Sequence, residues 1–252
     1  MKASVTMNIT LQIQKGPHKQ NCDDAALVGS VVYGEGIHRV HFDMPCVIAV
    51  ADGVGGNQGG KEASYFVLNF LGKTTTVENK GNGELPSLLQ DCNAALLSEA
   101  EKNPEHGKMA TTLTAVVLRP NHSNLIQVGN TRLYGMPGSY LKQITADQTT
   151  YQMLIDMGRI DAAEACNKSE IVGCLGGGNS QFLKRAVVDE LPPRMLRKLL
   201  LLTSDGIHEY VKPETIEDVL ECGDDAEAAQ RIIDAANAAG SDDDKTVLII
   251  RF

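Results

Sequence analysis

Strand-like segments follow one another in runs along this chain, and helix-like segments come in pairs. The first run is VTMNITLQI, AALVGSVVYG and PCVIAVADG, with polar or Gly-containing breaks between them. VTMNITLQI alternates apolar and polar residues, as a strand with one buried face does. A second run, TTLTAVVLRP, NLIQVGN and TRLYGM, is broken by Asn and Gly residues that suit tight antiparallel connections. LRKLLLLTSDG and KTVLIIRF complete the strands. Between the runs, GGKEASYFVLNFLG reads as a helix. LPSLLQDCNAALLSEAEKN places Leu85, Leu88, Leu89, Cys92 and Leu96 at the period of an amphipathic helix. QTTYQMLIDMGRI reads as helical. So does PETIEDVLECG, with Pro213 where a first turn tolerates it. DDAEAAQRIIDAANAAG opens on acids, which suit a helix N-terminus, and closes on Gly240. Such an order predicts antiparallel sheets with helices packed outside them rather than alternating βαβ units. No linker rich in Pro, Gly or Ser divides the chain, so a single domain over residues 1–252 is expected.

Bulk properties narrow the function. Net charge is −9 and the isoelectric point is near 5.1, against the basic patch a nucleic-acid binder needs. The six cysteines contain no CxxC pair, and most lie in apolar settings such as PCVIAV. They read as buried free thiols of a reducing compartment. MKASVTMNITLQIQKG lacks a signal-peptide core, and no stretch nears the ~18 apolar residues of a membrane span. A soluble, cytoplasmic protein is expected.

Three aspartates stand at strand ends in short loops: Asp52 in AVADGVGG, Asp205 in LLTSDGIHEY and Asp243 in GSDDDKTVLII. A carboxylate held at the end of a buried strand is a hard oxygen ligand with little freedom. Three of them suggest a site for Mg²⁺ or Mn²⁺.

Taken together, the segments resemble the metal-dependent protein phosphatases, the type 2C Ser/Thr family, in its bacterial single-domain form. The resemblance rests on an ordered series: NxD at Asn21–Asp23, ADGVGGNQGGKEAS, MATTLTAVVL, VGNTRLYGM, QITADQTTYQMLIDMGRI, LGGG, LLLTSDGIHEYV and SDDDKTV. Each motif alone is weak; their order and spacing are specific. The resemblance implies an α+β fold, a four-layer α-β-β-α sandwich of two antiparallel sheets flanked by helix pairs. It implies two Mn²⁺ or Mg²⁺ ions. Asp52 would bridge them, with the Gly53 carbonyl on one, Asp205 and Asp243 on the other, and Asp23 acting through bound water. Two such ions acidify a shared water and neutralise phosphoryl charge during in-line attack, so no Cys or Ser nucleophile is required. The implied partner is a phosphoprotein substrate, with no nucleic acid and no membrane, the chain acting as a monomer.

The sequence departs from the family pattern at several positions. His18 stands where an Arg grips substrate phosphate, and imidazole does not reproduce a bidentate clamp. It is retained as a phosphate contact beside Lys19, Lys61 and Arg39 as other candidates. Cys22 stands where a Glu commonly binds the second metal, and a thiol is a poor partner for Mg²⁺. Asn130 stands where an Asp helps hold a third ion and would make that site weak. Asn57 replaces a His, and Asp244 an Asn. His208 has no assigned role.

Plainer readings apply elsewhere. His38, His41, His106 and His122 read as surface or loop residues, Asp242 and Asp244 as solvated charge. Glycines 176–178 read as a flexible loop near the site rather than a nucleotide cradle. Met153 and Met157 read as a core stripe. Besides the phosphoprotein phosphatase, two readings stay open. One is a weakened relative that binds phosphoproteins, motivated by His18, Cys22, Asn57 and Asn130. The other is a small-ester phosphatase, which the 4% aromatic content and absence of Trp do not favour.

Overall fold

A computed structural model describes residues 6–54, 59–74, 77, 80–81, 83–221 and 223–252. Asn57 and Cys222 lie outside the described residues.

Two six-stranded sheets face each other. One contains β1 (Thr6–Gln14), β4 (Gly36–Asp43), β9 (Arg132–Gly135), β10 (Lys142–Gln143), β13 (Leu199–Thr203) and β14 (Lys245–Arg251), in the order β10-β9-β13-β14-β1-β4. The other contains β2 (Asp24–Val28), β3 (Val31–Tyr33), β5 (Cys46–Asp52), β7 (Leu113–Leu118), β8 (Ser123–Val128) and β12 (Val187–Leu191), in the order β12-β8-β7-β5-β2-β3. The strand pairings within both are antiparallel. A two-stranded ribbon joins β6 (Ala110–Thr111) to β11 (Leu175–Gly176).

The central strands read as continuous apolar runs because both of their faces are covered. In β5, Cys46, Ile48 and Val50 enter the core between the sheets, while Val47, Ala49 and Ala51 pack under helices. Those helices are α1 (Gly60–Lys73) and α2 (Leu85–Lys102). In β13 and β14, Leu200, Leu202, Leu248 and Ile250 face the inter-sheet core. Leu199, Leu201, Val247 and Ile249 pack beneath α5 (Asp205–His208), α6 (Pro213–Leu220) and α7 (Asp225–Ala238). Three stacked cores therefore make the four-layer sandwich that the family resemblance implied.

Several local expectations need correction. β4 and β12 were not anticipated, since both are edge strands with mostly half-buried or exposed residues and weak apolar signals. The helical segment near 148–160 divides into α3 (Thr150–Asp156) and α4 (Ile160–Ala165), separated by Gly158 at φ 70. Met157 therefore lies past the end of α3 and is 63% exposed, so it forms no core stripe with Met153. The glycine run is not a free loop at its start. Gly176 pairs with Ala110, and its N–H donates to Asn93 Oδ1 at 2.7 Å. Cys22, Cys46, Cys92 and Cys174 are buried thiols, and Cys166 is half-buried.

Candidate metal centre

The two sheets bring their carboxylate-bearing ends together. In one sheet Asp24 opens β2 directly opposite Asp52, the last residue of β5. In the other, β13 ends at Thr203, two residues before Asp205, and β14 begins two residues after Asp243. Thr246 Oγ1 donates to Asp24 Oδ2 at 2.6 Å and so ties one sheet to the other at this edge. Asp23, Asp52, Asp205 and Asp243 thus share one end of the sandwich.

The loops fit without slack. A Cβ on Gly53 would lie 2.3 Å from the Gly60 carbonyl oxygen, so only glycine lets α1 start against the end of β5. Gly53 N–H donates to the Asp23 carbonyl at 3.1 Å, which holds the loop carrying Asp23 beside Asp52. A Cβ on Gly206 would meet the Asp244 carbonyl at 2.0 Å, fixing α5 against the loop before β14.

The acidic groups are crowded. Burial, then Asp205, Asp24 and Asp243, push the Asp52 carboxyl well above its ordinary range. Asp205 is pushed up to about 6 by burial and by Asp243, with the Asp52 carboxyl close enough for a shared proton. Asp205 Oδ1 is buried and has no hydrogen-bond donor. Asn130 Nδ2 donates to the other oxygen, Asp205 Oδ2, at 3.1 Å. Asn130 thereby orients Asp205, a contact an aspartate could not make.

Two acids were misjudged or missed. Asp244 is not solvated charge: its side chain is 1% exposed. Its oxygens accept from Gly16 N–H at 2.8 Å and Asp23 N–H at 2.7 Å, binding the N-terminal loop to the site. Asp242 is exposed, as expected. Asp24 is fully buried, with Oδ1 lacking a partner, and burial and Asp244 raise it to about 7. The signal for both was their place beside wholly buried strands, DAALV and KTVLII.

The basic candidates separate. His18 lies exposed in the turn closed by Lys19 N–H to the Gly16 carbonyl. Lys19, not His18, enters the cluster: its ammonium pairs with Asp243 Oδ1 and lies 3.0 Å from Asp244 Oδ2. Although burial disfavours its charge, Asp243 and Asp244 raise its pKa above the ordinary lysine value. Arg39 is no candidate, because its guanidinium pairs with Asp224 at 2.6 Å at the start of α7. Lys61, in the first turn of α1, lies 5.9 Å from the Tyr65 ring centroid. Cys22 is buried at 6% exposure, and burial pushes its thiol far up, so it offers no thiolate ligand. His208 is buried, with Nδ1 2.8 Å from Thr203 Oγ1, and burial and Arg132 hold it well below the usual imidazole range.

A divalent cation fits this donor set. The groups are hard oxygens, and burial together with neighbouring carboxylates raises both Asp52 and Asp205 above the ordinary carboxylate range. Asp205 Oδ1 waits without a donor; a cation would relieve both conditions. Among the described residues, however, no three His, Cys, Asp or Glu side chains already converge as a finished ligand shell. The acids instead contact one another and Lys19. A cavity of about 660 Å³ beside Leu89, Asn93 and Leu183 opens elsewhere, between α2 and residues 180–188.

Comparison with known proteins adds to the geometry. A family model described as protein phosphatase 2C matches residues 17–235. The chain is 31% identical over 211 residues to the serine/threonine protein phosphatase PstP of Mycobacterium tuberculosis, covering 81% of this chain. It spans about 40% of the length of that relative. The crystal structure of the Mycobacterium tuberculosis PstP superposes with a TM-score of 0.80 at 28% identity, over 98% of this chain and 99% of that one. A PstP catalytic domain solved with two manganese ions superposes with a TM-score of 0.74 at 27% identity, over 98% and 99%.

Proposed function

The chain belongs to the protein phosphatase 2C family, and from that premise we propose that it hydrolyses phosphoserine and phosphothreonine in proteins, with Mn²⁺ or Mg²⁺ as cofactor. One observation carries the reading: Asp52, Asp205 and Asp243 gather at one edge of the sandwich, and two of them are buried against each other. The two manganese ions bound by PstP support the same choice of cofactor.

Asp52, Asp205 and Asp243 would hold the ions, with the Gly53 carbonyl beside Asp52 and Asp23 acting through water. When bound, such ions supply an acidified water for in-line attack on phosphorus and neutralise charge on the phosphoryl oxygens. The protein's contribution is positioning. Asn130 turns Asp205 by its hydrogen bond. Asp244 clamps the backbone of Gly16 and Asp23, the two ends of the segment bearing His18. From that segment His18 would meet a substrate phosphate. No covalent phosphoenzyme is proposed, since the Cys22 thiol is held protonated by burial.

The test is hydrolysis of p-nitrophenyl phosphate and of a phosphothreonine peptide across a Mn²⁺ titration, wild type beside Asp205→Asn. Metal-dependent turnover lost in the variant is expected. Turnover that survives a chelator, or is untouched in Asp205→Asn, would overturn the assignment. The second reading, a relative that binds phosphoproteins and turns over poorly, draws on the buried neutral Cys22. It predicts phosphopeptide binding by the folded wild type without turnover at millimolar Mn²⁺.

A further inference from the structure

A basic side chain stands inside the acidic cluster and has no part in the mechanism above. Lys19 Nζ pairs with Asp243 Oδ1, lies 3.0 Å from Asp244 Oδ2 and 3.9 Å from Asp23 Oδ2. Its backbone is fixed to the same acids: Lys19 N–H closes a turn onto Gly16, and Gly16 N–H donates to Asp244 Oδ1. On Asp243 the contact is one-sided, since Oδ1 also accepts from Asp244 N–H at 2.8 Å. The lysine side chain is 24% exposed, so the ammonium is partly screened from water.

We infer that Lys19 is a resident cation of the metal centre, one that competes with a divalent ion for Asp243 and so sets how tightly the site loads. The inference rests on the metal-dependent reading above. An ammonium and a divalent ion seek the same carboxylate oxygens, and a positive charge a few ångströms away opposes the arrival of another. Lysine suits the task because its charge rides on a flexible four-carbon stem that can swing out when an ion enters. The rival idea is that Lys19 merely props Asp243 in place, and it predicts the opposite sign: loss of the lysine would then loosen Asp243 and weaken metal binding.

The experiment is calorimetric titration of Mn²⁺ into the chelator-stripped full chain, wild type beside Lys19→Met and Lys19→Gln. Circular dichroism melts verify the fold of each. Lys19→Gln retains an amide that can donate to Asp244, so it decides the matter if Lys19→Met does not fold. Removal of the ammonium should tighten Mn²⁺ binding tenfold or more and lower the Mn²⁺ needed for half-maximal phosphatase activity. Equal or weaker binding in a folded variant overturns the inference while leaving the metal-dependent reading intact. Absence of Mn²⁺ binding by folded wild type and variants alike overturns both.

Discussion

Replacing Asp24 by Asn should stabilise the metal-free protein, and by an amount that depends on pH. Asp24 is fully buried at the joint between the sheets, and burial and Asp244 raise it from an ordinary 3.8 to about 7. A folded value above the unfolded one means that the neutral carboxyl favours the fold. That contribution is complete below pH 3.8 and is lost as pH rises through 7. The gap between the two values corresponds to roughly 4 kcal/mol at pH 8. Asp244 and Asp205 share the same charge conflict, so about 2–4 kcal/mol is the relief expected from Asn. Asn keeps an acceptor for Thr246 Oγ1, now 2.6 Å from Asp24 Oδ2, so the tie between the sheets survives. For a domain of this size the gain equals roughly 5–15 °C in Tm. The assay is thermal unfolding in a chelator at pH 8 and pH 4, wild type beside Asp24→Asn. The variant should melt higher at pH 8, and the two should converge at pH 4. A difference of the same size at both pH values would refute the argument, because packing rather than ionisation would then be responsible. A lower Tm at pH 8 would refute it as well.

Gly53→Ala should lower stability by about 2 kcal/mol or more, since its Cβ would lie 2.3 Å from the Gly60 carbonyl oxygen; urea unfolding measures this, and an unchanged midpoint would refute it. Asn130→Asp would set a carboxylate where an amide now donates to Asp205 at 3.1 Å. It should lower Tm in a chelator by several degrees and tighten Mn²⁺ binding, two opposite shifts read by melting and calorimetry. His208 is held well below the usual imidazole range by burial, so below pH ~6.5 the unfolded chain takes up a proton that the folded chain refuses. Stability should therefore fall by about 1.4 kcal/mol per pH unit there, and His208→Gln should remove about 2 kcal/mol of the loss between pH 7 and pH 5 in urea unfolding.

The sequence alone determined the layers and the position of the three aspartates. Runs such as CVIAVAD and LLLLT are apolar throughout because both faces of a central strand are covered, and a pattern of that kind is visible without coordinates. The same locality places Asp52, Asp205 and Asp243 beside strand ends. The edge strands β4 and β12 were not legible, since an edge buries too little to leave an apolar signature. Tertiary structure alone decided which charges meet. Residues 19 and 244 are far apart in the chain, and only the pairing of β1 with β14 brings their side chains together. That contact turns Asp244 from expected solvated charge into a buried clamp and brings Lys19, rather than His18, among the acids. Apolar periodicity is a property of neighbouring residues, whereas the state of a buried charge depends on every group that folding sets around it.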